Sequence, residues 1–390
     1  MKRVVLFSLS LFFVLSMSAQ NQQSSDTLSF TTIKANKITP VKNQANTGTC
    51  WSFSGLALFE SEVLRLKNRE VDLSEMFIVR HSYEDKADKY VRTGGYTNFA
   101  QGGSFEDVWY VLKHYGIVPE SEMDGLNYGT DRHQHGELSA IGTAMVQAVG
   151  KSRSLSPVWK KAFGSVMETY LGAFPEKFTV DGKEQTPLSY VKELGLNMDD
   201  YVSLTSFTHH PFYSAFALEI PDNWRWGLSY NLPLDEFMRV FDYAIDKGFT
   251  LAWASDVSEA GFTRDGFAVL PETKQELLAG TDQARWVGGA TMGGKMDVNR
   301  TNIIEEKVTQ ESRQLGYDNK QTTDDHGMQI YGIAKDQTGK EYYMVKNSWG
   351  LTGKYEGHWY ATKAFVASKT LSIMLHKDAV PKDIRKKLGI

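Results

Sequence analysis

The chain has 390 residues, 41% of them apolar and 23% charged, and a formal net charge of −4. These values exclude a disordered chain and argue against a dedicated nucleic-acid binder, which needs a basic surface to neutralise phosphates. The length allows two or three domains or one decorated domain, and a cysteine count of 1 excludes an internal disulfide.

Residues 1–19 read as an export signal: Lys2 and Arg3 lead an apolar run from Val4 to Leu15, followed by the small residues Ser16, Ser18 and Ala19. The run is too short to span a bilayer comfortably, so no stable membrane anchor is expected, and the chain is expected in the periplasm or outside the cell. Residues 20–38, polar at first, read as a linker. An unpaired thiol in an oxidising compartment is a liability unless it is buried or used.

That thiol is Cys50. It follows Gly48-Thr49 and opens an apolar helical stretch, Trp51 to Leu66, so it faces the free N–H groups and the positive dipole end of a helix start. Gln44 carries an amide six residues upstream. A nucleophile beside two kinds of N–H donor is the raw material of acyl transfer, although a lone cysteine in an arbitrary chain is more often a small buried hydrophobe. The helix is apolar all round at its start, which predicts burial between two halves of the fold, and Glu60 on it needs a structural partner.

Ser74 caps a second predicted helix, a glycine-rich loop runs from Thr93 to Gly103, and a third helix spans Phe105 to Tyr115. Residues 125–208 read as a helix-rich insertion with helix starts at Ser156-Pro157 and Thr186-Pro187. A helix is expected over Pro233–Asp246, a buried strand over Phe249–Ala254, and a helix over Thr301–Leu315 with Glu305, Glu306, Lys307 and Arg313 on its polar side. Strands are expected at His326–Ile333, Glu341–Asn347, Gly357–Ala361 and Leu371–Leu375, as a twisted antiparallel sheet or half-barrel. The fold class is therefore α+β. The basic run Lys382–Lys387 reads as a solvated helix face.

Four stretches in order carry a family resemblance: Gln44 with Cys50-Trp51-Ser52-Phe53; Gly102-Gly103; Asp325-His326-Gly327-Met328; and Asn347-Ser348-Trp349-Gly350. Together they resemble the papain-like cysteine peptidases. Thr47 stands where secreted papains have a disulfide cysteine, and Cys50 and His326 are much further apart than the roughly 130–150 residues of papains. A long insertion, no disulfide and no room for an inhibitory propeptide resemble the bleomycin hydrolase and aminopeptidase C branch. Tyr115–Pro119, Asn231–Leu234 and Thr322–Met328 are similar to that branch's own phrases.

The resemblance implies a two-lobed papain-like fold: a helical lobe at 39–124, the insertion at 125–208, a β-rich lobe at 209–375 and a tail at 376–390. It implies Cys50 as nucleophile, His326 as base, Asn347 as the orienting amide, and Gln44 with the Cys50 N–H as oxyanion hole. Gly102 and Gly103 would offer a backbone edge to an extended substrate, with Asp325 tuning the site, while Trp51 and Trp349 would shield it. No cofactor or metal is implied; His133 with His135, and His209 with His210, are weak metal candidates. The expected substrates are peptides, and the branch commonly assembles as a homo-hexamer. In that branch the C-terminus lies in the cleft and restricts cleavage to the substrate's amino end; the tail here is longer and more charged than that role implies. The alternatives are an open-groove endopeptidase, a silent binding protein and, as a minor option, a papain-fold acyltransferase.

Overall fold

Helix α1 (Cys50–Lys67) runs through the middle of the molecule, with every residue from Trp51 to Val63 buried. The computed structural model describes residues 28–272 and 303–390, so the export-signal reading of residues 1–19 and the first part of the linker lie outside the described residues. On one side of α1 pack α2 (Glu75–Arg92) and α3 (Phe105–His114). On α2 lie α4 (Gly136–Gly150) and α5 (Val158–Leu171), while α6 (Pro187–Glu193) packs on α3. Leu138, Val146, Phe163 and Met167 of the 125–208 stretch share one apolar core with Leu56, Phe59, Val108 and Val111. Each such side chain contributes about 1.5–3 kcal/mol by leaving water.

The other side of α1 meets a ten-stranded sheet. Its strands in chain order are β1 (Phe30–Ala35), β4 (Tyr201–Thr205), β5 (Ala215–Ala217), β6 (Leu228–Asn231), β7 (Leu251–Ser255), β8 (Phe267–Ala268), β9 (His326–Asp336), β10 (Glu341–Lys346), β11 (His358–Thr362) and β12 (Thr370–His376). They lie in the order β5-β6-β4-β12-β7-β9-β10-β11-β8, and β1 pairs with the second half of β9. All pairings are antiparallel except β4 with β6 and β11 with β8. A separate hairpin joins β2 (Phe178–Val180) to β3 (Lys183–Gln185). The far face of the sheet is covered by α7 (Leu234–Asp246), α8 (Gln310–Asp318), α9 (Lys363–Lys369) and α10 (Lys382–Leu388), with Phe237, Phe241, Trp253, Phe365 and Ile384 in a second core.

The helix starts at Ser74 and Thr186 are as the sequence predicts: Ser74 Oγ accepts from Phe77 N–H at 3.0 Å and Thr186 Oγ1 from Ser189 N–H at 3.2 Å. Four expectations are corrected. Ser156 caps nothing, because Pro157 itself holds the cap position of α5. Residues 30–35 of the presumed linker form a strand, since Gly332–Asp336 offers them a free edge. Tyr201–Thr205, at the end of the stretch read as helix-rich, is a central strand of the sheet. The helix expected over 301–315 starts only at Gln310, where Thr309 and Ser312 form a reciprocal cap; residues 301–302 lie outside the described residues. Arg313 is accordingly not on a polar face. It is buried and donates to the carbonyls of Ser206 at 2.7 Å and Ala367 at 2.9 Å.

The tail also departs from the picture of an arm in a cleft. Helix α10 seats Ile384 and Leu388 against α7, with Arg239 paired to Asp383, Lys387 to Glu236, and Arg385 to Asp378 at 2.7 Å.

The sheet and α1 meet most closely at Gly327. A Cβ there would stand 2.6 Å from Ser54 Oγ and 3.3 Å from Trp51 Cα. Gly327→Ala is therefore expected to cost about 1–3 kcal/mol by overpacking. Adding Ser54→Ala should recover part of that loss in chemical denaturation; a Gly327→Ala protein as stable as its parent would contradict the close approach.

Candidate active site

The turn before α1 is tied at both ends by its own polar groups. Thr47 Oγ1 donates to Gln44 O at 2.8 Å, Gln44 Nε2 donates to Thr47 O at 2.7 Å, and Gln101 Oε1 accepts from Gly48 N–H at 2.7 Å. Thr47 thus uses its hydroxyl to hold this turn without any covalent staple. The preceding segment pairs with the loop after β10: Gln44 N–H donates to Ser348 O at 2.8 Å and Gly350 N–H to Lys42 O at 3.0 Å. Ser348 Oγ donates to Gln44 Oε1 at 2.6 Å, which fixes the amide face. One hydrogen of Gln44 Nε2 goes to Thr47, leaving the other for a further acceptor.

Beneath this seam lies an ionic cluster in which Glu60 and Glu75 are buried and Asp72 is exposed at the rim. Lys42 Nζ contacts Glu60 Oε1 at 2.9 Å, Glu75 Oε1 at 2.7 Å and Asp72 Oδ1 at 2.6 Å. Glu60 Oε2 accepts from Thr39 Oγ1 at 2.6 Å, and Lys346 Nζ donates to Thr39 Oγ1 at 2.9 Å. Glu60 therefore has the partners its burial demands. The cluster links α1 and α2 to the end of β10, one residue before Asn347.

His326 begins β9 and is buried. Its Nε2 lies 2.7 Å from Asn347 Oδ1, and Ser348 N–H also donates to that oxygen at 2.7 Å. A backbone N–H can only donate, so the Asn347 atom facing both groups must be the oxygen. Nε2 of His326 must then carry the proton, leaving Nδ1 as the bare nitrogen. Trp349 lies over the imidazole, ring centroids 4.7 Å apart, and is itself braced edge-on by Trp359 at 5.5 Å. Asn347 is buried, and its Nδ2 has no hydrogen-bond partner.

Cys50 and His326 line one cavity with Trp51, Gly103, Ala254 and Ser372. Burial pushes the Cys50 thiol up to about 12, against hydrogen bonds from the Gly327 and Trp51 N–H groups that favour the thiolate. Burial pulls His326 down to about 4, against Asn347 and Asp325, which favour the imidazolium. Taken singly, each group resists its charge. A proton passed from Sγ to Nδ1 makes both charges together, so each offsets the cost of the other.

The remaining predicted residues have clear places. Trp51 is buried and donates through Nε1 to Gln101 O at 3.0 Å. Gly103 is required by packing, since a Cβ would stand 2.8 Å from the Trp51 ring. Gly102 is not an open edge: a Cβ there would fall 1.9 Å from Asp222 Oδ2. Asp325 turns to the neighbouring loop, accepting from Ser258 N–H at 3.1 Å and Thr323 Oγ1 at 2.9 Å. His135 bonds to Tyr83, with Nδ1 3.3 Å from the hydroxyl, and His209 and His210 each lie 3.0 Å from a Glu219 oxygen.

Sequence reasoning passed over Asp222 and Asp324, which line the same cavity. Asp324 stands two residues before His326 within a quoted phrase, so its position was in view. Asp222 lies in Ile220-Pro221-Asp222-Asn223, a turn composition with no local mark of a site.

Comparison with known proteins joins these observations. The family model described as papain family cysteine protease matches residues 25–169, and the one described as Peptidase C1-like family matches 292–389. The first includes Gln44 and Cys50, the second His326 and Asn347. Among curated relatives, aminopeptidase C of Streptococcus thermophilus is 22% identical over 87% of this chain and 80% of its own. Aminopeptidase E of Lactobacillus helveticus is 20% identical over 86% and 81%. The crystal structure of PepW from Lactobacillus rhamnosis superposes with a TM-score of 0.69 at 19% identity, covering 92% of this chain and 84% of that one, which shows the same fold. Two papain-family models thus match the regions of Cys50 and of His326 in order, and the fold is shared with PepW over most of the chain, so the chain is similar to the papain-like cysteine peptidases and, among them, to the aminopeptidase C relatives.

Proposed function

We propose that the protein is an exported cysteine aminopeptidase in which Cys50, His326 and Asn347 act together. The observation that carries the reading is the 2.7 Å contact of His326 Nε2 with an Asn347 oxygen whose identity Ser348 N–H dictates. It leaves Nδ1 unprotonated in the cavity that Cys50 lines.

The thiol proton moves to Nδ1, and the thiolate attacks the carbonyl carbon of the scissile bond. The oxygen that becomes negative takes hydrogen bonds from the Cys50 N–H, at the helix start, and the second Nε2 hydrogen of Gln44. The imidazolium returns its proton to the departing amine, leaving a thioester on Sγ. Water then gives its proton to Nδ1, attacks the thioester carbonyl and releases the acid. Trp349 keeps solvent from the His326–Asn347 bond during the cycle, since it covers that face.

Aminopeptidase action is supported by the names of the relatives and by a cavity whose upper wall is the chain's own segment Leu218–Asn223. The tail at 376–390 contributes nothing to that wall, because α10 is packed on α7. An open groove for an endopeptidase is disfavoured by the same segment. Export, read from residues 1–19, fits a chain whose one thiol is half-buried in a site.

Two measurements test these readings. Cys50 alkylation by iodoacetamide should be nearly flat across neutral pH in the parent. In His326→Ala the thiol loses its proton acceptor while burial still holds it high, so thiolate forms only as pH rises well above neutral. The alkylation rate at pH 7 should then fall by at least about 10²-fold and climb with pH; an unchanged profile would remove the ion pair. The second compares hydrolysis of alanyl-aminomethylcoumarin with its N-acetylated form. The free amine should be strongly preferred and Cys50→Ala inert; equal rates would sink the exopeptidase reading.

A further inference from the structure

The segment between β5 and β6, residues 218–227, leaves the sheet and crosses to the helical lobe. Each of its ends is fastened. His209 and His210 grip both oxygens of Glu219, and Tyr317 Oη donates to Glu219 O at 2.9 Å. Asn223 closes the turn, donating to Leu218 O and Gly227 O at 3.0 Å each. On the helical side, Trp224 Nε1 donates to Asp107 Oδ2 at 3.0 Å, and Arg225 pairs with Asp107 at 2.7 Å and Asp85 at 3.0 Å. The crossing is therefore built into the fold.

It brings Asp222 into a cavity whose titratable lining, beyond Cys50 and His326, is acidic, and burial raises the carboxyls of Asp222, Asp324 and Glu106 above their usual range. The lining holds the carboxyls of Asp222, Asp324, Asp325 and Glu106, and no lysine or arginine. Asp325 is committed to the Ser258 and Thr323 donors described above. Asp222 rests on the Gly102 backbone, with Asn98 Nδ2 donating to Oδ1 at 3.3 Å. Asp324 receives the Asp222 N–H on one oxygen, while its Oδ2 is buried with no hydrogen-bond partner at all. Lys86, whose charge reaches Asp222, is engaged by the carbonyls of Ala100 at 2.9 Å and of Gly102, and does not line the cavity. Burial and the neighbouring carboxyls hold Asp324 up to about 8, so this unpartnered group gains its charge most readily when a cationic donor comes to lie against it.

We infer that Asp222 and Asp324 together receive the free α-ammonium of the peptide substrate, so that segment 218–227, rather than the C-terminal tail, sets where this peptidase cuts. The inference rests on the aminopeptidase reading and assigns its specificity to two residues. An ammonium offers three N–H donors, enough for Asp222 and the bare Asp324 oxygen, whereas an acetylated amine offers one donor and no charge. The same segment closes the groove beyond, since Asp222 occupies the space over Gly102 into which a longer chain would extend. Charge coupling adds a second effect. Asp222 and Asp324 are both close enough to oppose the Cys50 thiolate, and an ammonium bound between them and solvent neutralises that opposition.

The test compares Asp222→Asn and Asp324→Asn with the parent on alanyl-aminomethylcoumarin and N-acetyl-alanyl-aminomethylcoumarin. For each variant kcat/KM on the free amine should fall at least 30-fold, chiefly through KM, while the acetylated substrate holds or gains. The preference ratio therefore collapses. A parental circular-dichroism spectrum and unfolding midpoint certify that a variant is folded. A folded variant that keeps the parental ratio overturns the inference, while the parent's own preference leaves the aminopeptidase reading intact. A parent with no preference overturns that reading as well. A third measurement uses the parent alone: L-alaninamide should inhibit alanyl-aminomethylcoumarin hydrolysis competitively and N-acetyl-L-alaninamide should not, and equal inhibition by the two counts against the ammonium site.

Discussion

The constraint on which the rest depends is the close approach of β9 to the start of α1. Gly327 permits it by having no side chain, and through that gap its N–H reaches the Cys50 sulfur. Two residues further along β9, Gln329 is wholly buried and places Nε2 within 2.9 Å of Ala57 O, 2.8 Å of Ser61 Oγ and 3.0 Å of Thr250 Oγ1. One amide thus joins helix, central strand and neighbouring strand at the seam. Cys50 and His326 come from different sides of this seam, so their relative position is only as fixed as the seam. Apolar contact alone would allow a helix to slide along a sheet by fractions of an ångström; a buried amide with specific partners does not. That rigidity is what the proposed proton transfer between Sγ and Nδ1 requires.

A second constraint acts from below. Lys42 is surrounded by Glu60, Glu75 and Asp72, and burial with this charge excess drives Glu75 up to about 7. Such clusters are poor sources of net stability, because desolvation offsets most of the Coulomb attraction. Their contribution is placement. Lys42 lies two residues before Gln44, and Lys346 one residue before Asn347, and both are drawn to the Thr39–Glu60 pair. The segments carrying Gln44 and Asn347 are therefore referenced to the same buried carboxylate on α1. A hydrophobic replacement of equal volume would fill the space without distinguishing one register of these segments from another.

Legibility in the sequence followed the range of the contacts. Cys50, His326 and Asn347 could be read because each stands among neighbours that pack on it directly: Trp51, Gly327 and Trp349 are adjacent or nearly so. The helices α1, α2, α3 and α7 could be read because their apolar residues are locally spaced, helped at α2 and α3 by the caps at Ser74 and Ser104. Arg313 was misread for the opposite reason. Its partners, Ser206 and Ala367, are over fifty residues away on either side, and nothing near Arg313 announces that backbone carbonyls await it. β1 was missed because its hydrogen-bond partners belong to β9, about three hundred residues later. Asp222 is the same case at the site. Its place over Gly102 follows from sheet order, since β5 and β6 are carried to the cleft by β4 and β12.

That placement bears on how a shared fold comes to discriminate substrates. Papain-like catalysis on a peptide bond needs only the nucleophile, the base and the oxyanion donors, none of which senses the substrate's end. Selectivity for a free amino terminus has to come from a difference in binding, and the effective difference is one in which the wrong substrate leaves buried polar groups unpaired. An acetylated chain entering this cavity would bury the Asp324 oxygen against a group that donates too little and carries no charge. A carboxylate held by a β-turn that is fastened at both ends performs this discrimination without any chain terminus in the cleft. It also couples recognition to chemistry, because the carboxyls that attract the ammonium oppose the thiolate, and binding relieves that opposition.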